Sequence, residues 1–380
     1  MHRGLTEESL AKRIVIKIGS STLTDTQGKI DAAYIEGLAA QVAALRAQGS
    51  ETVIVTSGAI TAGLEALGMP GKRPESIPLL QAAAAVGQLE LSKAYTRAFE
   101  QRELRIGQIL LTRVEIENRN TYLHARDTIE KLLELGVVPL INENDTVAVD
   151  EIRFGDNDTL AAQVAILVKA NIVILLSDIE GLYTADPRQD EDAQLLETIA
   201  AFTEEVVNAA GAAGTARGSG GMITKLEAAR MLMAANIPMV ICEGHVADGV
   251  LDAAYGRPVG TRFSKADGHR QAKARKLWLA LSGSAKGGVY VDEGAACALR
   301  ERGSSLLPVG VQRVEGSFVR GQAVDIRTKD GFLIGRGITR YSSDELLLAA
   351  GRKSTDIAAN SLLKHLANTE VLHRDQLVVF

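Results

Sequence analysis

Six short apolar runs, most of them β-branched, recur through the first two thirds of the chain: Ile14 to Ile18, Thr52 to Thr56, Ile106 to Leu111, Val137 to Ile141, Ile172 to Leu176 and Met239 to Cys242. Each is followed by a glycine or small polar turn and then by a helical pattern. Runs that are apolar on both faces suit central strands of a largely parallel sheet, because crossover helices cover both sides of such a sheet. Between the first two runs, Ile35, Leu38, Val42 and Leu45 repeat at helical spacing, and Gly49 follows as a stop. Further helices are expected over Asp127 to Leu135, closed by Gly136, over Asp158 to Lys169 and over Met222 to Ala235. The predicted fold class is α/β: a three-layer αβα sandwich around a central, mainly parallel sheet.

A chain of 380 residues exceeds what one hydrophobic core usually serves, so two unequal domains are expected. Aromatic residues make up only 4% while glycine numbers 36, which calls for an interior of Ala, Val, Ile and Leu with many tight turns. After about residue 262 the pattern changes. Arg270, Lys273, Arg275 and Lys276 form a short basic stretch that reads as a solvated linker or linker helix. Short alternating segments then follow, among them Gly288 to Asp292, Gln322 to Arg327 and Phe332 to Gly335, with the cadence of a small all-β barrel. The division expected is a catalytic domain over 1–262, a linker over 263–285, a β domain over 286–364 and a C-terminal tail over 365–380. The Ala/Gly-rich stretch from Ala209 to Gly221 reads as a mobile loop.

The formal net charge of -5 favours neither nucleic acid nor an anionic membrane as the main partner, which leaves small molecules. RNA is disfavoured again by residues 286–350, which hold nine Lys/Arg against eight Asp/Glu. Cys242 and Cys297 are too few and too distant for a disulfide framework or a cysteine zinc site. No stretch has the length of a signal peptide's apolar region or of a membrane span, so a cytoplasmic protein is expected.

Ligands of an open parallel sheet bind beyond the carboxyl ends of its strands, and those positions are polar here. Lys17 with Gly19-Ser20-Ser21 closes the first run, Ser57-Gly58-Ala59 the second, Asn142 to Asp145 the fourth, and Ser177-Asp178 the fifth. A lysine inside an apolar strand costs desolvation unless an anion compensates it, although one whose head reaches solvent would give the same pattern. The glycine and free amides beside Lys17 suit a phosphoryl group. Gly218 to Lys225 is a second such element, a glycine turn entering a helix; a plain flexible linker is its alternative. Asn142 to Asp145 and Gly155 to Asp158 concentrate carboxylates and amides, which equally suit turns and helix caps. Carboxylates facing two phosphate-site lysines make physical sense of them. The Gly-x4-Gly-Lys-Ser/Thr loop and the Gly-x-Gly-x-x-Gly fingerprint are both missing, which disfavours a P-loop kinase and a dinucleotide-binding dehydrogenase.

Taken in order, Ile16 to Ser20, Val53 to Ala59, Gly107 to Thr112, Ile141 to Asp145, Gly155 to Asp158, Gly181 to Pro187 and Gly220 to Lys225 resemble the amino acid kinase family over essentially the whole chain. The likeness is to the branch that phosphorylates the side-chain carboxylate of glutamate. The segments Val291 to Ala295 and Arg302 to Pro308 resemble the PUA domain that bacterial members of that branch carry. The resemblance implies that Lys17 and Lys225 bind the transferring phosphoryl group and that Asp158 organises them. It implies that Ser57, Asp145 and Asn157 bind glutamate. Gly19, Ser20, Ser177, Asp178 and the run Ser219, Gly220, Gly221, Met222, Ile223, Thr224 and Lys225 match the nucleotide segments. Ser177 and Ser219 stand where a threonine is common, and both keep the hydroxyl. Also implied are ATP as co-substrate with Mg2+, inhibition by proline, and a homo-oligomer, dimer or tetramer. Aspartate, acetylglutamate, carbamate and UMP are acceptors elsewhere in the family and form the alternatives. Since a carboxylate acceptor is already ionised at neutral pH, no general base is required, and none of the six histidines is assigned one.

Overall fold

The computed structural model describes residues 10–25, 27–71, 73–147, 157–187, 189–203, 205–207, 209, 219–264 and 285–380. Its chain divides into two compact units, Met1–His269 and Arg270–Phe380. The basic stretch at 270–276, most of the expected linker, Gly155 and Asp156, and all but the ends of the loop expected over 209–221 lie outside the described residues.

In the first unit, eight strands form one sheet. They are β1 (Arg13–Ile18), β2 (Glu51–Val55), β3 (Arg105–Leu111), β4 (Val137–Glu143), β5 (Ile172–Ser177), β6 (Thr198–Ile199), β7 (Met239–Glu243) and β8 (Thr261–Phe263). Their order is β3-β4-β2-β1-β5-β7-β8-β6. All neighbours run parallel except β7 and β8. Five of the six apolar runs, those in β1, β2, β4, β5 and β7, lie inside this sheet, as expected. Ile106 to Leu111 does not: β3 is an edge strand on which Ile106 and Ile109 are half-buried, Leu110 is exposed and Leu111 is buried.

Side chains alternate along β1, and Ile14, Ile16 and Ile18 join the core formed with Leu38, Val42 and Leu45 of the helix Ala32–Ala47. That helix begins at Asp31, whose carboxylate accepts from Tyr34 N at 2.9 Å, and its stop at Gly49 has φ +86°. The same logic closes the helix Arg119–Glu134 at Gly136, φ +74°. This helix starts two turns earlier than its apolar pattern indicates, because Asn118 caps it by accepting from Asn120 N and Thr121 N. The helices Ala59–Ala66 and Ile77–Glu100 cross at Gly63 and Gly87. A Cβ on Gly63 would lie 1.7 Å from Ala83 O, and one on Gly87 would lie 1.8 Å from Ala59 O, so only glycine permits this approach.

The second unit holds β9 (Gly287–Val291), β10 (Val311–Gly316), β11 (Ala323–Thr328), β12 (Leu333–Thr339) and β13 (Leu372–Val379) in the order β10-β9-β11-β12-β13. It is antiparallel except where β11 meets β9. The residues 365–380, expected as a tail, therefore contribute a strand: Leu372 is fully buried and β13 pairs with β12. The unit also carries helices at Glu293–Arg302, Ser343–Ala349 and Ser354–Ala359, which the strand cadence conceals. Tyr341, buried beneath them, donates from its hydroxyl toward Leu366 O and Thr369 O, each at 3.0 Å. On the sheet, Arg327 and Arg336 both pair with Asp325, and Arg340 pairs with Glu370.

Candidate active site

Because Ile16 and Ile18 face the core, Lys17 projects from the other face of β1, where it is 5% exposed. The helix Asn157–Leu167 lies over that face and is packed against the helix Ser219–Ala234. Its second residue, Asp158, is 1% exposed. Lys17 Nζ lies 2.5 Å from Asp158 Oδ1, and Lys225 Nζ lies 3.0 Å from Asp158 Oδ2. Thr224 Oγ1 donates to Gly221 O at 2.9 Å and lies 3.4 Å from Asp158 Oδ2. Two ammonium groups around one carboxylate leave a net positive charge in a largely dry site, which suits an anion of higher charge.

Burial alone would raise the Asp158 carboxyl, but the ammonium groups of Lys17 and Lys225 outweigh it and hold it down at about 2. The carboxylate is therefore ionised throughout the physiological range. With both oxygens engaged by ammonium groups it is poorly placed to ligate a metal, and no group of three His, Cys, Asp or Glu side chains among the described residues would cage one. Among the described residues there is thus no cage for Mg2+, and a Mg2+ carried by nucleotide phosphates would bring ligands with it.

Asn157, adjacent to Asp158, turns the other way. Its Nδ2 donates to Thr56 O at 2.5 Å and Asn142 Oδ1 at 2.8 Å, and it lies 3.2 Å from Ser57 Oγ. Ser57 follows β2, and Gly58 behind it takes φ +87° before the helix Ala59–Ala66 begins. That left-handed turn leaves Ser57 half-buried at the carboxyl end of the sheet. Asp145 lies half-buried in the turn after β4, at the same edge.

At the end of β1, Gly19 N donates to Leu176 O at 3.2 Å, and the exposed Ser20 opens a turn of helix, Ser20–Leu23, whose Thr22 and Leu23 are buried. Ser177 is buried at the end of β5 and donates to Asp178 Oδ1 at 3.1 Å, while Asp178 itself is exposed. Ser219 and Gly220 open the helix Ser219–Ala234, and Lys225 sits in its second turn. Met222 points inward at 6% exposure, whereas Ile223 is 49% exposed. Sequence reasoning did not single out Asn142 by itself, nor Thr56 or Gln88. Asn142 Nδ2 donates to Gln88 Oε1 at 2.7 Å, and Thr56 Oγ1 lies 3.1 Å from the hydroxyl of the fully buried Tyr95. Gln88 lies in the long helix Ile77–Glu100, whose sequence carries no sign that it faces the end of β4.

Known proteins resemble this chain in sequence. The amino acid kinase family profile matches residues 12–243 and the PUA domain profile residues 287–359. The chain belongs to the amino acid kinase family. Among its relatives are proteins named glutamate 5-kinase: one from Geobacter sp. (strain M21) is 45% identical over 97% of this chain and 97% of its own length. Those from Burkholderia vietnamiensis and Deinococcus radiodurans are each 46% identical over 97% of this chain, and over 98% and 99% of their own lengths.

Proposed function

We propose that this chain is an ATP-dependent kinase that phosphorylates the γ-carboxylate of L-glutamate, giving L-glutamyl 5-phosphate and ADP, the reaction that opens proline biosynthesis. The observation that carries the reading is the pair Asn157 and Asp158. Adjacent residues at the start of one helix join Ser57 on one side and the lysine pair on the other. The acceptor and the phosphoryl donor would meet across that helix start.

In this scheme an oxygen of the ionised γ-carboxylate attacks the γ-phosphorus of ATP in line, and the bond to the β,γ-bridging oxygen breaks, leaving ADP. No proton has to move from the nucleophile. Lys17 and Lys225 offset the charge spread over the phosphoryl oxygens, Lys225 chiefly in the transition state, and Asp158 holds both ammonium groups in position. Ser57, Asp145 and Asn157 hold the glutamate. The nucleotide is assigned to Gly19, Ser20, Ser177, Asp178 and the segment from Ser219 to Lys225. Mg2+ accompanies ATP and neutralises part of its charge.

Inhibition by proline and a homo-oligomeric state, dimer or tetramer, belong to the same proposal and rest on the likeness to relatives. No helix among the described residues is long and apolar enough to cross a membrane. The test is an ADP-release assay run with glutamate, aspartate, acetylglutamate, carbamate and UMP, with and without proline. Release with glutamate well above the others supports the reading, and equal or greater release with another acceptor overturns it.

A further inference from the structure

We infer that Gln88 is a positioning residue for the acceptor: acting through Asn142, it holds the amide of Asn157 in place for the bound acid. The inference rests on the proposed acceptor role of Asn157.

A single backbone donor sets the orientation of three side-chain amides. Glu143 N donates to Asn142 at 2.9 Å, so the atom of Asn142 that receives it must be the carbonyl oxygen. The same oxygen is 2.8 Å from Asn157, whose facing atom must then be the NH2 group, and Thr56 O at 2.5 Å requires the same assignment. Both Nδ2 hydrogens of Asn157 are thereby committed, and its Oδ1 is left as an acceptor. On the far side, Asn142 Nδ2 needs an acceptor, which Gln88 Oε1 supplies at 2.7 Å. Gln88 is thus the terminal anchor of the relay. Without it, Asn142 keeps one side of its amide held and loses the other.

Gln88 is itself held by packing. It follows Gly87, whose missing side chain allows the helix Ile77–Glu100 to approach the helix Ala59–Ala66. Its own Nε2 is buried and has no hydrogen-bond partner among the described residues. A buried, unpaired amide is unfavourable and is retained where it serves something other than stability. Here the reason is positional: by offering an oxygen to Asn142 Nδ2, Gln88 holds the second end of that amide and so keeps the Oδ1 to which Asn157 donates in place. An acid with an ammonium group and two carboxylates is read by the donor and acceptor atoms of the amide so held.

The test compares wild type, Gln88→Met, Asn142→Ala and the double variant by steady-state kinetics and thermal unfolding. Gln88→Met keeps the side-chain length and removes the acceptor. It is expected to raise the glutamate KM about tenfold, the factor that one lost hydrogen bond gives, with the ATP KM and kcat within about twofold of wild type. In the Asn142→Ala background the same change is expected to add little, because the relay is already broken. An unchanged glutamate KM, an equal rise in both KM values, or additive effects would each overturn the inference. If Gln88→Met does not fold, Gln88→Glu replaces it. Glutamate at that position still presents an oxygen to Asn142, so its glutamate KM should stay below that of Asn142→Ala, and an equal or higher value counts against the relay. A wild-type enzyme that does not turn over glutamate would refute the proposed function instead, and the two failures are distinguishable.

Discussion

Lys17 and Lys225 hold opposite oxygens of one carboxylate: Asp158 Oδ1 is 2.5 Å from the first ammonium group and Oδ2 is 3.0 Å from the second. One lysine comes from the first strand of the sheet and the other from a helix late in the domain, so their meeting is a product of the whole fold. Replacing Asp158 by Asn leaves two ammonium groups facing each other with side-chain exposures of only 7% and 12%. Breaking a buried pair in this way costs about 3–5 kcal/mol. The thermal midpoint without nucleotide should fall by roughly 6 °C or more. Since ATP supplies the missing negative charge, it should raise the midpoint of the variant more than that of wild type. Thermal unfolding with and without ATP reads both effects.

The two lysines should differ in kinetics from the acceptor residues. Lys225→Ala is expected to lower kcat by about a hundredfold or more while changing the glutamate KM by less than about threefold, the pattern of an interaction made mainly in the transition state. Steady-state kinetics with glutamate and ATP varied in turn would check it, and an unchanged kcat would remove Lys225 from the chemistry.

Much of this was legible in the sequence, and what was not has identifiable causes. The apolar runs of β1, β2, β4 and β5 and the stops at Gly49 and Gly136 follow from periodicity and backbone conformation, which are local properties. The apolar content of Ile106 to Leu111 pointed to a central strand, but its place at the sheet edge depends on the order in which strands assemble. The strand Leu372–Val379 is hidden in the sequence because the polar run His373, Arg374 and Asp375, the last two exposed, interrupts its apolar pattern. Lys17 and Ser57 stand out because glycines and polar residues mark strand ends, and Lys225 because a glycine turn leads into its helix, whereas the parts given to Ser57, Asn157 and Asp158 are implied by the resemblance to the amino acid kinase family. Gln88 could be named on neither ground. It is one polar residue on an amphipathic helix, and only the packing at Gly63 and Gly87 brings it to Asn142.

The acid dependence of stability has a definite sign. The folded Asp158 carboxyl is held at about 2, below its ordinary value of 3.8, so its contribution is present above pH about 4 and is lost as pH falls toward 2. The difference in unfolding free energy between wild type and Asp158→Asn should therefore be constant from about pH 7 to pH 5 and shrink between about pH 4 and pH 2. Denaturant titrations at stepped pH measure it; a difference that grows on acidification would contradict the ion-pair account.

Gly87→Ala should damage the domain without touching a ligand. Its Cβ would lie 1.8 Å from Ala59 O, so the two helices must separate at a cost of about 1–3 kcal/mol or more. The thermal midpoint should fall by at least about 3 °C. Because Ala59 follows Ser57-Gly58 and Gln88 follows Gly87, the glutamate KM should rise more than the ATP KM.

The central claim is that a carboxylate attacks the phosphorus held by Lys17 and Lys225, which makes the product an acyl phosphate. Incubating the purified chain with ATP, Mg2+, glutamate and hydroxylamine tests this most directly, because hydroxylamine converts an acyl phosphate to a stable hydroxamate. The account predicts γ-glutamyl hydroxamate in step with ADP, dependent on ATP and abolished in Lys225→Ala. ADP released without hydroxamate, or hydroxamate formed equally by Lys225→Ala, would contradict it.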